Sequence, residues 1–393
     1  MVQVHEPGSE ADILALVRWA LAEREPLEIL GAGTKRGIGR PVEAGHHLSM
    51  RRCAGICQYE PTELYVTAAA GTPLVEIEAA LVEKGQHFAF EPRDLAHLFG
   101  GDGAQTVGGA VAAGLSGPRR YVAGGARDHL LGFRAVSGRG EAFKSGGRVV
   151  KNVTGYDLSK LIAGSFGTLA VLSEVTLRVA PRPRQAVTLL VTGRTYADAA
   201  ALYGCASATG SATGLAYMST AGDLESVANS DGSVAAIRLE GDTAHIAAAT
   251  LKKEIGTDCS LVEEDQHVRV WSAIRDLTLL GRSASNLWRL SLPKSATEPF
   301  VAKLAPHSPF IVDWAGRQIW LASDMTGNDL RRIVFETTGP DGHATLIRGS
   351  AELRRTIPVF NPQPPALAAL VRSVKGQFDP KGVLNPGRLT PDI

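Results

Sequence analysis

Cysteine is scarce: the 393 residues hold four, with Cys53 and Cys57 four apart and Cys205 and Cys259 isolated. That spacing excludes a disulfide framework, a zinc ribbon and an iron–sulfur ligand set, so a reducing, cytoplasmic compartment is expected. There is no run of about 18 apolar residues, which excludes a spanning helix. The opening MVQVHEPGSEAD lacks a basic n-region and an apolar h-region, so no secretory signal is expected. A formal charge of only +1 argues against a broad nucleic-acid-binding surface. What remains is a globular composition, 44% hydrophobic and 21% charged, long enough for two or three domains.

Glycine is what the sequence has in excess. Of 43, 17 lie between Gly100 and Gly167. That density suits backbone brought close to a bulky partner, or a set of turns in a β-rich domain. Before it, Ala11–Glu25 has a helical apolar face, and Leu27–Leu30 and Tyr65–Ala70 read as strands. Thr72 is expected to cap a helix with Pro73 at its first position. Leu131–Lys144 reads as two strands about a turn at Ser137–Gly140, and Leu169–Val179 as a long strand. Pro181 and Pro183 mark a boundary. Beyond it strands (Ala186–Val191, Gly214–Ser219, Val234–Glu240) alternate with helices (Tyr196–Ala208, Thr243–Ile255). A second round follows: helix His267–Leu277, strand Asn286–Leu292, hairpin Phe310–Ala322, helix Leu330–Thr337 and strand His343–Arg348. This β-α-β-β-α-β order predicts a ferredoxin-like antiparallel α+β layer. Phe360–Pro365 reads as a linker, followed by a short helix over Ala366–Gly376.

Four segments bear on chemistry. In Gly31-Ala-Gly-Thr-Lys-Arg-Gly-Ile-Gly39, glycines free backbone N–H groups to face an anion, and Lys35, Arg36 and Arg40 add charge. It is not a P-loop, because no Gly-Lys-Ser/Thr occurs. It is not a dinucleotide fingerprint either, because Arg36 stands where the third glycine would be and Pro41 breaks the helix required. A diphosphate cradle and a plain strand-to-strand connection both fit. In Thr106-Val-Gly-Gly-Ala-Val-Ala-Ala-Gly-Leu-Ser-Gly117, the glycine pair suits close approach to a ligand or helix–helix packing equally. The third segment is Gly147–Val171, with Asn152, Thr154-Gly-Tyr-Asp-Leu158, Gly164-Ser165 and Gly167-Thr-Leu169. The fourth is the tail Phe378-Asp-Pro-Lys-Gly-Val-Leu-Asn-Pro-Gly-Arg388.

In this order and spacing the four segments resemble the PCMH-type FAD-binding superfamily of vanillyl-alcohol oxidases and D-lactate dehydrogenases. Val149-Val-Lys-Asn-Val153, Ser116-Gly-Pro-Arg-Arg120 and the overall length resemble the FAD-binding E-type branch of bacterial glycolate oxidases (glycolate dehydrogenases). The resemblance implies an α+β chain. Residues 1–180 would form a two-lobed FAD-binding domain, 181–350 a ferredoxin-like cap, and 351–393 a segment returning to the FAD domain. It implies that Gly33, Thr34, Lys35, Arg36 and Gly37 grip the diphosphate. Thr106, Gly108 and Gly109 would lie along the ribityl chain and flavin, with Ser116 and Gly117 beyond. Gly164 and Val171 would face the adenosine half, and Asn385 and Arg388 would approach the flavin. Relatives that attach FAD covalently use a histidine in the first loop or a cysteine in the Gly-rich region; this chain has neither, so non-covalent FAD is expected.

The same resemblance implies a complex with a flavoprotein D subunit and an iron–sulfur F subunit, oxidising glycolate to glyoxylate. The chain would be cytoplasmic, or peripheral on the inner membrane through that complex. One departure stands out. Catalytic relatives carry a Gly-His-x-Gly-Asp-Gly-Asn signature, whereas this chain has Gly342-His-Ala-Thr-Leu-Ile-Arg348. No catalytic base is assigned and no metal site is expected; Lys151, Tyr156 and Arg348 are substrate contacts or ordinary surface charges. A self-sufficient FAD oxidase or dehydrogenase of another alcohol or hydroxy acid, and an assembly subunit with a structural flavin, are the competing readings.

Overall fold

The computed structural model describes residues 2–100, 103–147, 156–230, 232–256, 259–281, 286–305 and 307–393. The chain divides into two units. The first comprises Met1–Ser116, Gly124–Arg182 and Ser350–Ile393; the second comprises Gly117–Ala123 and Pro183–Gly349.

Among the described residues the first unit contains two principal sheets. One is parallel, with Gln3–His5, His46–Ser49 and Leu27–Leu30 in that order. Helix Glu10–Glu23 buries Ile13, Val17 and Ala20, and the Ser9 hydroxyl accepts from Asp12 N at its start. The other is antiparallel, in the order Ile56–Glu60, Tyr65–Ala69, Ala170–Arg178, Leu130–Ser137 and Ala142–Gly146. Alternate side chains such as Phe133, Ala135, Val175 and Leu177 fill a core that also takes Leu27, Leu48 and Leu384. Helix Val107–Ala113 is built from small residues and packs close to the chain at Ala70. A Cβ on Gly108 would stand 2.7 Å from the Ala70 carbonyl oxygen.

The expected cap at Thr72 is corrected. The helix runs Leu74–Glu83 with Pro73 as its cap residue, and no side chain caps it. Thr72 instead donates to the Ala69 carbonyl at 2.6 Å and accepts from Gly55 N at 2.9 Å. The hydroxyl closes the preceding turn, which satisfies it before it can reach the helix.

The second unit carries an eight-stranded antiparallel sheet in the order Cys259–Val262, Ala186–Thr192, Val234–Glu240, Ala212–Met218, Phe310–Asp313, Gln318–Ala322, Leu287–Ser291, His343–Arg348. Each half has the ferredoxin-like strand order 4-1-3-2, one the reverse of the other, joined edge to edge by Tyr217↔Val312 and Met218↔Ile311. The sheet is therefore a duplicated β-α-β-β-α-β layer. Among the described residues, the unpredicted elements of the layer include the short edge strand Cys259–Val262 and helix Lys294–Val301, which holds Pro299. Gly117–Ala123 is tied into this unit. Arg119 pairs with both carboxylate oxygens of the buried Glu240, Tyr121 donates to Ala212 O at 2.7 Å, and Trp314 Nε1 donates to Gly117 O at 2.9 Å. Among the described residues no helix is long and apolar enough to cross a membrane.

Candidate functional site

Strand Leu27–Leu30 runs into a tight loop. Gly33 takes φ +81°, a left-handed conformation that favours glycine, and a Cβ there would meet nothing within 4 Å. Turns close from Arg36 N to Gly33 O and from Ile38 N to Lys35 O, at 3.0 and 3.1 Å. The loop's charges are organised from beneath. Glu28 is 2% exposed and accepts from Arg36 Nε at 2.9 Å; His47 Nε2 lies at 3.0 Å and Arg388 Nη1 at 3.9 Å. Lys35 is buried and donates to Gln105, just before the helix that begins at Val107.

Two adjoining hollows, both open to solvent, lie beside these groups. The first is lined by Gly33, Thr34, Lys35, Arg36 and Arg388 and is cationic. The second is apolar, walled by Met50, Ala70, Ala170 and Leu172, with Gly108 at its edge. Thr106, Gly109 and Phe166 line both. A Cβ on Gly109 would touch only Thr106 Oγ1, at 3.1 Å, so the missing side chain is what keeps this edge open.

The tail completes the wall. Leu27 bridges to Leu384, and Asn385 N donates to Leu27 O at 3.0 Å. The Asn385 amide accepts from Ile29 N and donates to Phe166 O, each at 2.7 Å. Arg388 donates to Lys35 O at 2.9 Å. Its Nε is buried with no hydrogen-bond partner among the described residues. Burial pulls its guanidinium down to about 10; Glu28 opposes this, and Arg354 and Arg36 reinforce it. A buried cation with an unpaired donor, beside two other cationic residues, is a site that favours an anion.

The remaining residues singled out from the sequence lie around or away from the hollows. Gly37 packs under Phe99, where a Cβ would overlap the ring. Ser116 is not among the residues lining either hollow: its carbonyl accepts from Arg93 Nε at 2.7 Å and its hydroxyl from Ala126 N at 3.1 Å. Gly117 belongs to the second unit. Gly164 N donates to Val111 O, and Val171 is fully buried beside Leu172. Lys151 and the Val149–Gly155 stretch lie outside the described residues. Tyr156 is 90% exposed, and Arg348, in the second unit, donates to Gly281 O. His343 opens a strand and is exposed. Sequence reasoning missed Glu28, Gln105 and Phe166. A lone acid inside an apolar strand, three residues before a glycine–cation loop, is the signal that could have found Glu28.

Residues 2–146 match the family model FAD_binding_4, described as an FAD binding domain. The glycolate oxidase subunit GlcE of Escherichia coli (strain K12) is 36% identical over 382 residues, covering 97% of each chain. The chain belongs to the GlcE family. Its agreement with the glycolate oxidase subunit GlcD of Bacillus subtilis (strain 168) is narrower: 28% over 185 residues, 47% of this chain and 38% of that protein. The fold is that of p-cresol methylhydroxylase, with a TM-score of 0.67 over 99% of this chain and 88% of that one, at 14% identity. The hollows suit FAD on their own evidence. The cationic one matches a diphosphate by its unpaired Arg388 donor and left-handed glycine, and the apolar one suits a flat ring.

Proposed function

We propose that the chain is the FAD-carrying GlcE component of a glycolate oxidase assembly, in which glycolate is oxidised to glyoxylate. The observation that carries this reading is the end-to-end agreement with GlcE, set against agreement over about half the chain with GlcD. Bound FAD supplies hydride acceptance. The chain's own residues bind and orient it. Lys35, Arg36 and Arg388 would neutralise the diphosphate, Arg388 lining the cationic hollow rather than only approaching the flavin as expected; Gly33 and Thr34 would turn backbone toward it, and Gly37 keeps their loop tight against Phe99. Thr106, Gly108 and Gly109 give the backbone room along the cofactor. Asn385 would hold Phe166 and Ile29 in place at the flavin side, backbone near Gly164 and Val171 would reach toward the adenosine half, and Ser116 and Gly117 carry the chain onward into the second unit. Residues 1–180 with 351–393, apart from the Gly117–Ala123 segment that joins the second unit, act as the FAD domain and 181–350 as the cap.

Attachment is non-covalent, since no histidine stands in the first loop and no cysteine between Cys57 and Cys205. Four scattered cysteines give electrons no internal cluster, which supports a D flavoprotein and an iron–sulfur F subunit as partners. The complex would be cytoplasmic, or peripheral on the inner membrane. The test is purification alone and with D and F, followed by anaerobic single-turnover and multiple-turnover assays with glycolate. The isolated chain should carry FAD yet turn over glycolate poorly, and the complex efficiently. Fast turnover by the isolated chain with an artificial acceptor would favour a self-sufficient dehydrogenase. Absence of flavin alone and in complex would favour an assembly subunit.

A further inference from the structure

Phe166 combines three features that the cofactor reading leaves unexplained. Its backbone sits at φ +53°, the left-handed region that a bulky L-residue avoids. Both its backbone groups are committed there: the N–H donates to Ala112 O at 2.9 Å and the carbonyl accepts from Asn385 Nδ2 at 2.7 Å. Its ring is only half-buried and lies outside the hydrophobic core cluster of its unit. The ring instead lines both hollows, the cationic and the apolar. Behind it stands Phe360, centroid to centroid 5.5 Å at 60°, and the Arg388 guanidinium lies 5.9 Å from its centre. A glycine would adopt this turn without strain, as the neighbouring Gly167 does at φ +71°. An aromatic side chain held in a costly conformation, and spent on a cavity wall rather than on the core, points to a ligand that needs it.

We propose that Phe166 is a cofactor-positioning residue: its ring is the wall against which a planar heteroaromatic ring of the dinucleotide packs, with Phe360 as its buttress. This rests on the FAD-binding reading of the two hollows. Adenine and isoalloxazine share the chemistry that such a wall recognises, and the experiment separates them.

The test uses the full chain stripped of flavin, with Phe166→Gly, Phe166→Tyr and wild type compared. Two quantities are measured: the thermal midpoint of the flavin-free chain, and the Kd for FAD, ADP and riboflavin by fluorescence titration. Phe166→Gly should leave the flavin-free midpoint unchanged or raised, because it removes strain and no core contact. It should weaken FAD by about tenfold or more, the scale on which a ring stacked on an aromatic side chain contributes. Phe166→Tyr should hold FAD within about threefold of wild type, since the aromatic face is kept. A parallel loss of ADP affinity marks adenine as the stacked ring; a parallel loss of riboflavin affinity marks the isoalloxazine. Phe166→Gly binding FAD as wild type does would overturn the proposal. So would a flavin-free midpoint that falls along with affinity, which is the signature of a merely structural wall. Wild-type chain that binds no FAD would overturn this proposal together with the functional reading beneath it.

Discussion

Replacing Lys375 by methionine tests how the C-terminal tail is fixed. Lys375 lies on helix Pro365–Phe378, a helix exposed over most of its surface, yet its side chain is only 8% exposed. Its ammonium has three donors, and three acceptors meet them: Thr168 O at 2.7 Å, Asp379 Oδ2 at 2.6 Å and Leu384 O at 3.0 Å. Burial lowers its pKa, and Asp379 opposes that shift. Asp379 is itself buried and accepts from Val383 N and Leu384 N at 3.0 and 2.8 Å. One ammonium thus joins the helix, the tail and the turn that carries Phe166. Lys375→Met strands a buried carboxylate and removes the donor from two carbonyls, so the expected loss is about 3–5 kcal/mol. That is a large share of the roughly 5–15 kcal/mol available to a folded chain. Denaturant unfolding of the flavin-free chain measures it, and FAD titration measures whether Arg388 has left the hollow. Lys375→Met with Asp379→Asn should lose less than the sum of the single variants, by about 0.5–3 kcal/mol, because the stranded charge is gone. Strict additivity, or a single variant as stable and as tight for FAD as wild type, would refute the reasoning.

Gly109→Val should weaken FAD binding by at least about tenfold with little effect on folding. Gly108→Val should instead destabilise the chain by about 1–3 kcal/mol, since its Cβ would press on the Ala70 backbone; thermal melts and FAD titration separate the two. Gly33→Asp combines a left-handed backbone with negative charge beside Lys35, Arg36 and Arg388, and should abolish FAD retention through dialysis. Glu240→Gln addresses the second unit. Burial raises the Glu240 pKa, but Arg238 and Arg119 outweigh it and hold the carboxyl below its ordinary 4.5. A depressed folded value means stability that is complete well above pH 4.5 and is lost as pH falls through the folded value. Glu240→Gln should therefore cost about 3–5 kcal/mol at pH 7 by removing the buried carboxylate that Arg119 and Arg238 face, and the gap to wild type should close in acid; denaturant melts across pH check both.

Local signals carried much of the architecture. Strand Val234–Glu240 and helix Tyr196–Ala208 have the bounds that their apolar pattern predicts, the helix with a Thr195–Asp198 capping box at its start. The ferredoxin-like alternation was legible because turns punctuate it, but its duplication was only partly so: the fourth strand of the first copy and the first helix of the second, Cys259–Val262 and Lys294–Val301, were missed. Elements without a periodic signal were not. His46–Ser49 is the middle strand of a parallel sheet, yet two of its four residues are histidines. Helix Glu264–Asp276 starts before the expected His267 because its first turn, Glu-Asp-Gln, is wholly polar. At the site, glycine spacing marked the loop and the small-residue helix. It could not mark Glu28, Phe166 or the Lys375–Asp379 pair, whose roles depend on partners up to hundreds of residues away. A lysine and an aspartate four apart read as a solvated helix face until the tail is known to cover them.

That distance in sequence has a physical consequence for how the proposed cofactor site forms. The cationic hollow draws on Lys35 and Arg36, on Thr106 and Gly109, on Phe166, and on Arg388. The bonds that close it, Arg388 to Lys35 and Asn385 to Ile29, span 353 and 356 residues. Loop closure over such a span costs entropy before any contact rewards it. The cost is met by local order on each side. Asp379 caps its own turn through Val383 N and Leu384 N, so the tail presents Asn385 and Arg388 as a preformed hook. Glu28 likewise holds Arg36 beside the place that Arg388 will fill. Without the tail the loop would keep Lys35 and Arg36, but the buried unpaired donor that distinguishes this hollow from an ordinary basic surface would be missing. The anion-binding character proposed for the site is therefore completed by Asn385 and Arg388 rather than by the glycine loop that announces it.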